Sequence, residues 1–182
     1  YQKNKLRKKY LNLRKKKYQE INNKIFLPLF KLIKLKLKKN FFKIALYYPS
    51  NFELNILKIF EFKGILAQEI LLPALEKNNL MKFFPWKKNE VLYINEFGIP
   101  EPFKSKAKIP DVMLIPTIAF DENKFRLGYG KGYYDRYLNK YLKKYKDILT
   151  VGVAFSFQKY HKLPINKKDV KLNFILTEKG IY

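Results

Sequence analysis

Apolar positions recur along this chain with two different periods, and the switching between them predicts an α/β layout. Over residues 3–22, Leu6, Tyr10, Leu13 and Ile21 return at roughly helical spacing among lysines, which predicts an exposed amphipathic helix. Residues 25–39 predict a second helix. Its LFKLIKLKLKK run also has the basic-against-leucine character of a helix lying on an anionic membrane, although packing on a sheet is the plainer reading. Residues 43–48 are a short apolar run ending at Pro49, Ser50 and Asn51, which predicts a buried strand followed by a helix N-cap. The helix expected over 52–63 is then stopped by Gly64. Apolar runs at 69–72, 81–84, 91–94, 112–120, 149–155 and 172–176 predict further strands, and residues 133–146 predict a helix between two of them. Strands alternating with helices imply a single-domain α/β fold over 1–182. The central sheet is expected to be mostly parallel, with helices on both faces in a Rossmann-like three-layer arrangement and ligands bound beyond the carboxyl ends of the strands.

Composition changes this picture little. With 182 residues, 47% apolar and 17% aromatic, the chain can bury enough surface to offset the entropy of ordering. The net charge of +24 invites a phosphate-rich partner. A polynucleotide binder, however, concentrates its cations on one face and favours Arg, whereas Lys dominates here and is spread along the chain. Nucleic acid is therefore not the expected partner, and the charge reads as compositional bias that also attracts small anions. The absence of cysteine excludes disulfides and thiolate metal sites, and one histidine excludes a His-rich zinc site. No stretch approaches the length of a membrane span and the lysine-filled start has no signal-peptide character, so a soluble, cytoplasmic monomer without a membrane partner is expected.

Candidate chemistry concentrates in one segment. DVMLIPTIAFD at 111–121 is followed after four residues by RLGYGKGYYDR at 126–136, which reads as a strand, a glycine-rich loop and a helix start. Gly128, Gly130 and Gly132 leave backbone N–H groups unshielded, and the following helix presents its positive end, so the loop suits phosphate. Arg126 and Lys131 add fixed charge. Neither the Walker A spacing nor the dinucleotide fingerprint fits, and a glycine-rich loop is also simply a tight turn. Taken alone, Asp135 reads as a residue that complements a helix dipole or, beside the loop, as a carboxylate for a hard cation; Asp169 reads as a solvated loop acid, Glu53 as a cap of its own helix, and Tyr133 and Tyr134 as core aromatics or as the wall of a ligand site.

The run RLGYGKGYYDRYL resembles the signature of 5-formyltetrahydrofolate cyclo-ligases. KNKLRKKYLNLR, ALYYPSNFELN, FGIPEP, DVMLIPTIAFD, VGVAF and LPINKKDVKLNFILTE are similar, in order, to further segments of that family. The resemblance implies an ATP- and Mg²⁺-dependent conversion of 5-formyltetrahydrofolate to 5,10-methenyltetrahydrofolate with release of ADP and phosphate, and the excess positive charge would favour a polyglutamylated folate tail. It implies ATP contacts at Lys3 and Arg7 and at Arg126, Leu127, Gly128, Tyr129, Gly130, Lys131, Gly132, Tyr133 and Tyr134, with Arg126 and Lys131 as the catalytic cations. Asp135 and Asp169 fall at metal positions. Tyr48, Glu53, Phe97 and Tyr133 fall at folate positions, Phe97 where an aromatic ring can stack on the pterin. The chain departs from the family pattern in having Tyr129 where Arg is usual, Asn55-Ile56 after the folate acid, and Lys168 before the second metal Asp. Two other readings stay open: a basic nucleic-acid-binding protein, and a family member that keeps the fold and uses the site for other chemistry.

Overall fold

The structure is a computed structural model describing residues 2–66 and 68–182. Its elements run α1 (Gln2–Lys17), α2 (Phe26–Leu37), β1 (Lys43–Ala45), β2 (Glu69–Glu76), β3 (Leu80–Pro85), β4 (Tyr93–Ile94), β5 (Pro100–Glu101), β6 (Val112–Pro116), β7 (Ala119–Phe120), β8 (Arg126–Leu127), α3 (Tyr133–Tyr141), β9 (Leu149–Val153), β10 (Phe174–Thr177) and β11 (Gly180–Ile181), with short 3₁₀ turns between some of them. Among these residues seven strands form one sheet in the order β11-β10-β9-β6-β1-β2-β3. The inner five pair in parallel, and β3 and β11 close the edges antiparallel.

Side chains alternate between the two faces, as the period of a strand requires. Ile44, Leu46, Ile70, Leu72, Val112, Leu114, Val151 and Val153 point to one face and pack with Phe26, Leu29, Phe30 and Ile33 of α2. Ala45, Leu71, Met113, Ile115 and Ile175 point to the other and pack with Tyr137 and Leu138 of α3. Burying a side chain such as Leu29 or Ile33, each 0% exposed, contributes about 1.5–3 kcal/mol. A third cluster seats Leu6 and Tyr10 of α1 against Ile118, Ala119, Leu127 and Leu163. The three-layer α/β expectation holds. In chain order the parallel strands lie 2-1-3-4-5, so the winding reverses between β1 and β6, and the crevice at their carboxyl ends is where such a sheet receives ligands.

Several expected elements differ. Residues 52–63 form no α-helix: Asn51 and Phe52 adopt positive φ of 48° and 60°, and 3₁₀ turns at Ile56–Glu61 and Lys63–Ile65 follow. Ile56 and Ile59, three apart, are the buried pair, and that spacing suits a 3₁₀ turn. The strand expected over 112–120 breaks after Pro116, and β7 leaves the main sheet to pair with β8. Residues 81–84 extend into an antiparallel edge strand hairpinned to β2. Of 91–94 only Tyr93–Ile94 is a strand, paired with β5 outside the main sheet; Val91 and Ile94 are 74% and 67% exposed, so no core flattens the run into a longer strand. The first helix ends at Lys17, where Arg14, Lys15, Lys16 and Lys17 meet the negative end of its dipole. The third ends at Tyr141, where the chain turns polar. No helix among the described residues is long and apolar enough to cross a membrane.

Candidate functional site

β7 and β8 form a two-stranded ribbon at the carboxyl end of β6, and they carry the glycine-rich loop to the start of α3. Two glycines lie close against arginine side chains. A Cβ at Gly128 would lie 2.6 Å from Arg126 Nη1. One at Gly130, where φ is 101°, would lie 3.1 Å from the Arg7 guanidinium carbon. Gly132 is the N-cap residue of α3. Arg126 is the charge beneath this loop: its side chain is 3% exposed, its Nη2 lies 3.2 Å from Asp135 Oδ2, and its guanidinium carbon lies 5.5 Å from the Tyr134 ring centre. The Asp135 approach has ion-pair distance without hydrogen-bond geometry, and Arg126 Nε and Nη2 have no hydrogen-bond partner. Buried donors of a cation left in this state favour an anion.

α1 covers the loop from outside. Arg7 Nε donates to the Gly128 carbonyl at 2.8 Å and Nη1 to Asn4 Oδ1 at 2.5 Å; burial lowers the Arg7 pKa, partly offset by Asp169. Lys3 pairs with Asp169 Oδ2 at 2.5 Å, and the same oxygen accepts from the Asn166 N–H at 2.6 Å. Asp135 Oδ1 accepts from the Val170 N–H at 3.4 Å. Asn139 Nδ2 donates to the carbonyls of Asp135 and Lys168, which stitches the 166–170 loop to α3. Lys3, Arg7, Arg126, Asp135 and Asp169 are thus brought to one corner. Among the described residues no three or more His, Cys, Asp or Glu side chains gather as a metal cluster. The pair of carboxylates beside the glycine-rich loop fits a hard ion, which takes one or two carboxylates and completes its shell with other oxygen ligands and water.

Other expected residues divide. Leu127 is 2% exposed and its side chain belongs to the core under α1, so only its backbone faces the loop. Lys131 is exposed, with its ammonium 5.5 Å from the ring centre of Phe97 on the β4–β5 turn. Tyr133 leans outward, its hydroxyl 3.5 Å from Asn79 Oδ1 on the β2–β3 turn. Tyr134 turns inward to Phe83 and Arg126, and burial, then Glu53, raises its pKa.

The second half of the site follows β1. Tyr48, Pro49, Ser50, Asn51, Phe52, Glu53 and Asn55 line a cavity of about 460 Å³ with Tyr18 of the segment after α1 and Leu57, a volume suited to a small molecule. Glu53 is 6% exposed. Its Oε2 accepts from the Ser50 N–H at 2.8 Å and its Oε1 from the Tyr129 hydroxyl at 2.8 Å. Burial raises its pKa, while Arg14, the Ser50 N–H and Tyr129 pull it down. Burial and then Glu53 push Tyr129 up to about 12, so this phenol remains a donor across the neutral range. The residue the sequence reading missed is Arg14. It is 1% exposed and donates from Nη2 to the Tyr129 hydroxyl at 2.6 Å and from Nε to the Asn51 carbonyl at 2.9 Å. Its signal was a cation in register with Leu6 and Tyr10 on the buried stripe of α1.

With this geometry in hand, similarity to known proteins is informative. The chain matches the model of the 5-formyltetrahydrofolate cyclo-ligase family over residues 1–178. It is 32% identical over 130 residues to the probable 5-formyltetrahydrofolate cyclo-ligase of Schizosaccharomyces pombe, a match covering 63% of this chain and 64% of the relative. It is 30% identical over 142 residues to the 5-formyltetrahydrofolate cyclo-ligase of Haemophilus influenzae, covering 68% and 75%. The matched region therefore spans just under two thirds of the yeast relative and three quarters of the bacterial one. Among solved structures, the 5,10-methenyltetrahydrofolate synthetase of Mycoplasma pneumoniae aligns with a TM-score of 0.71 at 27% identity, covering 98% of this chain and 99% of that one. That of Aquifex aeolicus aligns with a TM-score of 0.73 at 30% identity, covering 100% and 92%.

Proposed function

This chain belongs to the 5-formyltetrahydrofolate cyclo-ligase family, a family of ligases, and from that premise we propose that it closes 5-formyltetrahydrofolate to 5,10-methenyltetrahydrofolate at the expense of ATP. The observation that carries the reading is the joining of the glycine-rich loop to the pocket beside Glu53. A phosphate cradle with unfilled Arg126 donors is linked through Tyr129 to a buried carboxylate at a cavity of small-molecule size.

The chemistry needs both. An N-formyl group is an amide, and its oxygen is a poor leaving group. Attack of that oxygen on the γ-phosphorus of ATP releases ADP and gives an iminium phosphate. N10 then attacks the formyl carbon and loses its proton, and the C–O bond breaks with phosphate as the leaving group. Phosphoryl transfer asks mainly for positioning and charge neutralisation, so no protein nucleophile is required. Arg126, the loop amides, Lys3 and Arg7 would neutralise the phosphates, with Lys131 at the rim. Asp135 and Asp169 would hold Mg²⁺, which supplies charge neutralisation to the nucleotide. Glu53 would orient the pterin through its N–H donors, using lone pairs beyond those that accept from Ser50 and Tyr129. Tyr48 lines the same cavity, and Phe97 together with Tyr133 would border the folate from the loop side.

The test is the near-ultraviolet absorbance rise of methenyltetrahydrofolate from purified protein, 5-formyltetrahydrofolate, ATP and Mg²⁺. The expected rise requires both ATP and metal and is abolished by EDTA. A flat trace with folded protein would contradict the reading.

A further inference from the structure

Arg14 has no place in the chemistry above, yet it is among the largest fully buried side chains of the protein. A buried guanidinium is costly unless it is paired and hydrogen-bonded. Here the partner is reached indirectly. Arg14 Nη2 donates to the Tyr129 hydroxyl at 2.6 Å, and that hydroxyl donates to Glu53 Oε1 at 2.8 Å. The tyrosine oxygen thus accepts from the cation and donates to the anion, an arrangement in which each hydrogen bond polarises the other. The Arg14 guanidinium carbon also lies 5.8 Å from the Tyr129 ring centre, and its Nε bonds the Asn51 carbonyl in the turn that carries Glu53.

Tyr129 is the residue between Gly128 and Gly130, so its hydroxyl is the loop's reach into the other pocket. Two turns earlier on the same helix, Arg7 bonds the Gly128 carbonyl. α1 therefore grips the glycine-rich loop at two points, one on its backbone and one on the only bulky side chain between the first two glycines.

We propose that Arg14 and Tyr129 are positioning residues that lock the glycine-rich loop to Glu53, so that nucleotide and folate each bind a site the other has helped to set. The proposal rests on the folate reading of the Glu53 cavity. Burial leaves Glu53 few neighbours that can move its charge: Arg14 from α1, Tyr129 from the loop, Tyr134 from α3, and Tyr47 and Ser50 from the segment after β1. Arg14 is the single cation among them.

Two measurements on the intact chain test this, using wild type, Tyr129→Phe and Arg14→Gln. The first is the titration of the Glu53 carboxyl by carbon NMR. Its midpoint should rise in both variants, since each loses a group that favours the ionised form, and rise further in Arg14→Gln. The second is binding of 5-formyltetrahydrofolate with and without a non-hydrolysable ATP analogue and Mg²⁺. Wild type should bind folate about fivefold or more tightly when the analogue is present, and Tyr129→Phe should reduce that factor towards one. Tyr129→Phe is nearly isosteric and keeps the test intact where Arg14→Gln fails to fold. An unmoved Glu53 midpoint, ligands that bind wild type independently, or undiminished coupling in Tyr129→Phe would each overturn the proposal. Midpoints that rise in both variants, with a wild type that binds the nucleotide analogue and no folate, would instead remove the folate reading of the cavity and leave the link between the loop and Glu53 standing.

Discussion

The two halves of the site hold charge in opposite ways. Around the glycine-rich loop, Lys3 pairs with Asp169 at a partly exposed rim, while Asp135 stands beside the buried Arg126, so the rim charges can exchange partners with an incoming anion at modest cost. Across the crevice one carboxylate, Glu53, is almost wholly buried, and its donors are fixed by a turn and a tyrosine. Water screens the first kind of site, which gathers charge. The second is desolvated, so each hydrogen bond there is strong and each missing one expensive. The loop side therefore suits neutralising an anion and the Glu53 side suits selecting a hydrogen-bonding partner, the division of labour that the proposed function requires.

Mutations on the two sides should fail differently, and the largest effect belongs to Arg126. Arg126→Gln removes the buried cation under the loop and should lower kcat by about 10²–10³-fold, read in the absorbance assay, with folate binding kept. Asp135→Asn should come next, losing phosphoryl transfer by about 10²-fold while titration calorimetry still detects folate; full turnover in this variant would remove Asp135 from metal binding. Glu53→Gln should leave nucleotide binding intact and raise the folate KM about tenfold or more, the cost of a lost charged hydrogen bond of about 1.5–3 kcal/mol. The smallest change is expected at Lys131, which is exposed over Phe97: Lys131→Ala should cost about 0.5–1 kcal/mol in kcat/KM. A loss as large as that of Arg126→Gln would show that Lys131 moves into the cradle during turnover.

Buried Glu53 also makes stability depend on pH in a direction opposite to an ordinary ion-paired carboxylate. Its folded pKa is raised above the usual 4.5, so the folded state favours its protonated form. Its contribution is present in full below the ordinary carboxyl range and is lost as pH rises through the raised value. The melting-temperature advantage of wild type over Glu53→Gln should accordingly shrink across that window.

Much of the fold is written locally. β1, β2, β6, β9 and β10 were legible because each is an apolar run whose alternate residues fill both faces of the sheet, and the loop was legible because glycines and cations coincide at 126–132. The turn carrying Glu53 was not, since the positive φ of Asn51 and Phe52 is imposed by tertiary contacts that no helical propensity announces. Arg14 was hidden for a related reason: among so many basic residues its partner, Tyr129, is 115 positions away, and only the register of α1 marked it. Of the β4–β5 hairpin the first strand lay within the run expected at 91–94, whereas β5 and the pairing escaped, because these two short strands pair with each other outside the main sheet.

On the proposed function, the glycine-rich loop and the Glu53 cavity act on one bond, moving phosphate onto the formyl oxygen. The most direct measurement follows that oxygen. With ¹⁸O in the formyl group of 5-formyltetrahydrofolate, turnover with ATP should deliver one ¹⁸O atom to each inorganic phosphate released, seen as an isotope-shifted line in phosphorus NMR. Phosphate carrying no label, with the ¹⁸O recovered in water, would contradict the account.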